Sequence, residues 1–143
     1  MNKFNNTQII EILKAKLSFM KQEVKKVWNI DIEGEIKFSI NNSNVLGFYR
    51  PYTKEIHLNK TLLFQYGELY INEVVVHEYA HAVINTLYPY GLFGDKSVRT
   101  HGKEFKEVCL HFGNRGTAFV SLFSCPQTRN RQNKTASEIR RGL

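Results

Sequence analysis

Two histidines four residues apart flank a glutamate in the run Val74-Val75-Val76-His77-Glu78-Tyr79-Ala80-His81. On a helix that spacing puts both imidazoles on one face, about 6 Å apart along the axis. Neutral imidazoles so placed reach a single metal ion at about 2.0–2.1 Å. Glu78 is turned about 100° away from His77, off the ligand position, and faces a water on the metal instead. Zinc lowers the pKa of such a water to about 7, and a neighbouring carboxylate takes its proton as the water attacks a carbonyl. The bland alternative is two histidines that bind nothing. Five His in the whole chain make the pattern a chance event on the order of once in a hundred such chains.

A catalytic zinc site needs a third protein ligand and keeps a fourth position open. His57, His101 and His111 remain. His101 lies four residues before Phe105 and so shares the inward face of the helix expected there. His111 is ten residues on, offset by about 80°. His57 sits between Ile56 and Leu58 in an expected strand and points to the face opposite theirs. His101 is favoured as the third ligand, and Glu104 is its rival as a carboxylate ligand.

These residues need elements to carry them. Ile10, Leu13, Leu17, Met20, Val24 and Val27 recur in steps of three and four, which predicts a helix from about Thr7 to Trp28, capped by Thr7 or Asn6. Lys14, Lys21 and Lys25 share a stripe of it, either a wet face or a row of phosphate contacts. Three short strands follow: Ile36 to Ile40, Val45 to Arg50, and Glu55 to Asn59, the last two joined by a turn at residues 51–54. They read as a small antiparallel meander. Leu62 to Gln65 reads as a helical turn stopped by Gly67. A long helix runs from about Glu68 to Tyr88, with a core stripe of Leu69, Asn72, Val76, Tyr79 or Ala80, Val83 and Leu87, and Pro89 ends it. Residues 89–99 read as a loop. A last helix spans about Thr100 to Phe112, with Phe105, Val108, Cys109 and Phe112 on its apolar face and Gly113 as its stop. Thr117 to Ser124 alternates like a strand. The expected class is α+β: a small antiparallel sheet packed against the N-terminal helix, the metal-binding helix and the helix after it.

The chain has 143 residues, 42% hydrophobic and 23% charged, which suits one globular domain with a core of its own. Residues 1–125 form that domain, and 126–143 a basic tail with little to bury. Of the net charge of +7, the tail contributes +4 from Arg129, Arg131, Lys134, Arg140 and Arg141 against Glu138. A basic tail suggests a polyanion partner such as DNA, or else only solubilises the chain. Cys109 and Cys125 form no C-x-x-C pair, so neither a disulfide framework nor a cysteine metal site is expected. No secretory signal or membrane span is visible, and the expectation is a monomeric cytoplasmic protein, nucleoid-associated if bacterial.

The run V-V-V-H-E-Y-A-H-A-V, followed by H-G-K-E-F at His101 to Phe105, resembles the SprT-like family, which includes bacterial SprT proteins and the eukaryotic Spartan protease. Gly47-Phe48-Tyr49 and Glu55-Ile56-His57-Leu58-Asn59 are similar to the strand pair before that family's metal helix. The resemblance spans roughly residues 7–125. It implies a zincin-like minimal metalloprotease domain holding one Zn2+ through His77, His81 and His101, with Glu78 catalytic. It also implies a protein or peptide substrate and activity near DNA. Many bacterial members continue into a zinc ribbon with paired cysteines; no C-x-x-C follows Cys125, so a second zinc is not expected and the basic tail would have to serve in its place. The reading from another class is a nucleic-acid-binding module whose zinc is structural or vestigial. Tyr49, Arg50, Tyr88 and Tyr90 are candidates to steady an oxyanion.

Overall fold

The structure, a computed structural model, describes residues 4–32, 36–88 and 101–116. Helix α1 spans Asn6–Trp28. It buries Ile9, Leu13, Met20 and Val24, a stripe at spacings of four and seven,. Ile10 and Leu17 are only partly buried, and Val27 is exposed. The cap is Asn5, earlier than Thr7 or Asn6: its side chain accepts from the Gln8 amide while the Gln8 side chain accepts from the Asn5 amide, both at 2.9 Å. This reciprocal pair satisfies two amides that the helix start leaves without partners.

Three strands follow: β1 (Lys37–Asn41), β2 (Gly47–Arg50) and β3 (Glu55–Asn59). The sheet order is β1-β3-β2. β2 and β3 form the expected antiparallel pair across the 51–54 turn. β1 pairs with β3 in parallel, Lys37 with Glu55 through Asn41 with Asn59. The antiparallel meander is thus corrected to a mixed sheet. Asn59 explains why. Its Nδ2 donates to the carbonyls of Ser43 (3.1 Å) and Val45 (2.8 Å). Those bonds lead the β1–β2 connection across the end of β3, so β2 falls on the far side of β3 instead of beside β1. The same side chain accepts from the Leu62 amide at 3.0 Å and caps helix α2 (Lys60–Tyr66),.

Gly67, with φ 55°, closes α2 and opens helix α3, residues 68–87. α3 is α-helical over Glu68–Tyr70 and Val76–Leu87, with a π-helical stretch, Ile71–Val75, between. There the Val76 amide reaches back five residues to the Ile71 carbonyl. The extra residue shifts the buried face. Tyr70, Ile71, Val74 and Val75 turn inward, whereas Leu69 and Asn72, expected in the core, are exposed. Tyr70 ties α3 to the end of β3 and to the residue before β2: its hydroxyl accepts from the Asn59 amide (2.7 Å) and donates to the Leu46 carbonyl (2.6 Å). α3 ends at Leu87, and Tyr88 leaves helical geometry as a residue before proline tends to.

Helix α4 (Lys103–His111) buries Phe105, Val108 and Cys109, and Phe112 follows them into the core. Gly113, with φ 81°, and the Asn114 amide bonded back to the Cys109 carbonyl end it,. Asn114 Nδ2 also donates to the Asn72 carbonyl in the π-helical stretch (2.8 Å). Lys16 of α1 donates to the Phe112 carbonyl (2.9 Å). α3 is thereby held between the sheet on one side and α4 on the other. Among the described residues no helix is long and apolar enough to cross a membrane. The expected loop at 89–99, the strand at 117–124 and the tail lie outside the described residues.

Candidate metal centre

The middle of α3 is buried on every side, from Val76 to Ile84. Its polar residues His77, Glu78 and His81 are 3%, 1% and 6% exposed. A buried polar group is costly unless it has a partner or a task. His77 and His81 face the same way, Nε2 to Nε2 at 3.2 Å. His101 joins them from outside its helix. It lies in the turn before Lys103, two residues ahead of the helix start and not in a first helical turn as the sequence suggested. Its Nε2 is 3.1 Å from His81 Nε2. Phe105, on the first turns of α4 and fully buried, stands behind all three rings at centroid distances of 5.1, 4.7 and 4.9 Å. Sequence reasoning put Phe105 in the core but missed this shared role; its spacing of four from His101 was the available signal.

Three histidines at these positions offer ligand atoms all within 4.8 Å of one another. Nitrogens about 2.0–2.1 Å from a tetrahedral zinc stand about 3.3–3.4 Å apart, close to the separations here. His81 Nε2 faces two other ring nitrogens at hydrogen-bond distance, and the ring tautomers decide which nitrogen donates. Burial, followed by the neighbouring His101, holds the pKa of His77 down to about 3. Burial, then His77 and His101, drives His81 well below the usual histidine range. Neutral rings with lone pairs aimed at one point suit a cation.

Glu78 is turned off the ligand face. Burial pushes its carboxyl well above the usual range, and its Oε1 has no hydrogen-bond partner. It lies near enough to Tyr70 for its charge, after burial itself, to raise the phenol. Glu104 is half-buried with one oxygen unpartnered, but the ligand group does not include it. His57 and His111 are elsewhere. His57 stacks on Phe48 at 4.5 Å with its Nε2 3.5 Å from Glu55. His111 Nδ1 lies 3.5 Å from Glu23 of α1, and its ring stands edge-on to Trp28.

Of the oxyanion candidates, Tyr49 is buried and donates to Asn85 Oδ1 at 2.8 Å. Arg50 lies over the Phe48 ring, Tyr88 is partly exposed at the end of α3, and Tyr90 is outside the described residues. Lys14 and Lys25 are exposed and Lys21 half-buried on α1. Arg129, Arg131, Lys134, Arg140 and Arg141 lie outside the described residues.

The model of the SprT-like family matches residues 16–131. Neither a curated protein nor a solved structure matches the chain.

Proposed function

The chain belongs to the SprT-like family, and from that premise we propose that it is a zinc-dependent peptidase acting on proteins bound to nucleic acid. One observation carries the reading. A buried carboxylate with an unpartnered oxygen, Glu78, sits beside three histidines whose Nε2 atoms converge. A purely structural site has no use for that carboxylate.

His77, His81 and His101 would hold the ion, and Phe105 behind their rings fixes their orientation,. Zinc held there would supply an acidified water and an electrophilic centre for a peptide carbonyl. Glu78 would accept the proton that the attacking water gives up and pass it to the leaving amine. β2 is an edge strand packed on α3. Its outer edge pairs with no strand among the described residues, so an extended peptide can add there by main-chain hydrogen bonds. The net charge of +7 and the basic residues of the tail support a nucleic-acid setting.

The test is Glu78→Gln in the zinc-loaded full chain, assayed for zinc content and for cleavage of an unfolded protein substrate. The expected variant keeps the parent's zinc and loses cleavage by about 10²–10⁴-fold. Unchanged cleavage would refute the mechanism.

A further inference from the structure

α1 carries a feature that the metal centre does not use. Lys14, Ser18, Lys21 and Lys25 follow at steps of four, three and four, so they form one stripe. A groove of about 360 Å³ opens beside it, walled by Lys14, Ser18 and Lys21 and floored by Ile32, Phe38 and Tyr79. Phe38 is 41% exposed, a large aromatic ring left in water in the groove that Lys14 and Lys21 also line. A second hollow of about 330 Å³ shares Lys21 and adds Lys25 and Lys26, with Ile30 beneath; Asp31 is the acid on its lining. From Lys14 to Lys25 the stripe is about 16 Å long, room for several nucleotides.

The occupant needs anions at regular intervals and flat apolar faces between them. A single-stranded nucleic acid has both: phosphates for the lysines and unstacked bases for an aromatic floor. A duplex keeps its bases stacked and offers Phe38 nothing. An acidic peptide has charge but no ring at each step. An anionic lipid surface is flat, whereas this site is concave.

We propose that the α1 groove binds single-stranded nucleic acid, with phosphates on Lys14, Lys21 and Lys25 and a base against Phe38. The proposal rests on the reading of the chain as a nucleic-acid-associated peptidase. It adds a geometric consequence. Tyr79 lies two residues beyond His77, about 200° around α3, so the groove is behind the metal helix. A strand held there acts as a tether, and the histidine face stays turned away from it toward protein.

The experiment uses the full zinc-loaded chain and a fluorescein-labelled oligothymidylate, read by anisotropy between about 50 and 200 mM salt. Lys14→Gln/Lys21→Gln/Lys25→Gln is expected to bind at least about tenfold more weakly, with a slope of log affinity against log salt shallower by about two. The matching Lys→Arg triple variant keeps the parent's slope. Phe38→Ala weakens binding about fivefold or more with the slope unchanged. Circular dichroism and the unfolding midpoint establish that each variant is folded. A Gln triple variant with the parent's affinity and slope overturns the proposal. So does displacement of the oligonucleotide by polyglutamate of equal charge, which would assign the groove to an acidic protein. Cleavage of a peptide by the parent, without nucleic acid, is read separately. Groove binding without cleavage removes the peptidase reading and leaves the groove; cleavage without groove binding removes only the groove.

Discussion

Replacing Tyr70 with Phe removes a single oxygen from a fully buried side chain. That oxygen accepts from the Asn59 amide at 2.7 Å and donates to the Leu46 carbonyl at 2.6 Å. The ring remains, so packing is almost unchanged and no cavity of consequence opens. Two main-chain groups lose a partner in a site without solvent. Each such orphan costs about 1–3 kcal/mol, so Tyr70→Phe should destabilise the fold by about 2–6 kcal/mol. That is a large share of the roughly 5–15 kcal/mol that holds a domain together. Urea unfolding followed by circular dichroism reads it directly. With a slope of about 2 kcal/mol per molar urea, the midpoint should fall by about 1–3 M and the slope should stay constant. Native-state hydrogen exchange gives a local readout, in which the Asn59 amide exchanges faster in the variant. A loss under about 0.5 kcal/mol, inside the range of ordinary surface substitutions, would refute the idea that Tyr70 clasps the end of β3 and the residue before β2 to the metal helix.

Gly47→Ala should also destabilise, by about 1 kcal/mol net: overpacking costs about 1–3 kcal/mol and removing a glycine returns about 0.5–1. Its added Cβ would stand 3.0 Å from Val74 Cγ1, 3.1 Å from the His57 carbonyl oxygen and 3.3 Å from the Tyr70 hydroxyl, and a main-chain oxygen does not move aside easily. A urea midpoint at or above the parent's would contradict this close approach. The zinc-free protein should lose stability as pH falls below about 6.5, where histidine titrates in the unfolded chain. His77 is held down to about 3 in the fold, so between those values the unfolded state binds the extra proton. Each such histidine, His77 and His81 alike, takes away up to about 1.4 kcal/mol per pH unit as pH falls through the window. Glu78, whose carboxyl pKa is raised by burial, offsets one of the two, because it keeps its proton in the fold where the unfolded chain has lost it. The net is a decline toward about pH 5. Urea midpoints in the presence of a chelator at about pH 7, 6 and 5 check it; a flat profile would count against burial of neutral rings.

Much of the site was legible because its signal is local. The spacing of His77, Glu78 and His81 specifies their geometry once a helix is granted, and a helix follows from the apolar run around them. The apolar face of α4 was legible for the same reason, and Gly67 and Gly113 mark ends that need a positive φ,. What escaped depends on contacts distant in sequence or on a break in period. Strand order turns on Asn59, whose amide holds two carbonyls some fifteen residues earlier; alternation along β1 says nothing about which edge of β3 the next strand takes. The π-helical stretch adds one residue to a turn, so a stripe counted backward from Val76 in steps of 3.6 names Leu69 and Asn72 where Tyr70 and Ile71 are buried,. His101 reaches the cluster from a turn instead of a helix, which no periodicity reports.

The most direct test of the central claim is the zinc content of the purified full chain, measured by elemental analysis beside His101→Ala and Glu104→Ala. The three-histidine centre predicts about one zinc per chain in the parent and in Glu104→Ala, and its loss in His101→Ala. A parent that takes up no zinc even when zinc is added back, or a His101→Ala variant that keeps it while Glu104→Ala loses it, would contradict the centre described above.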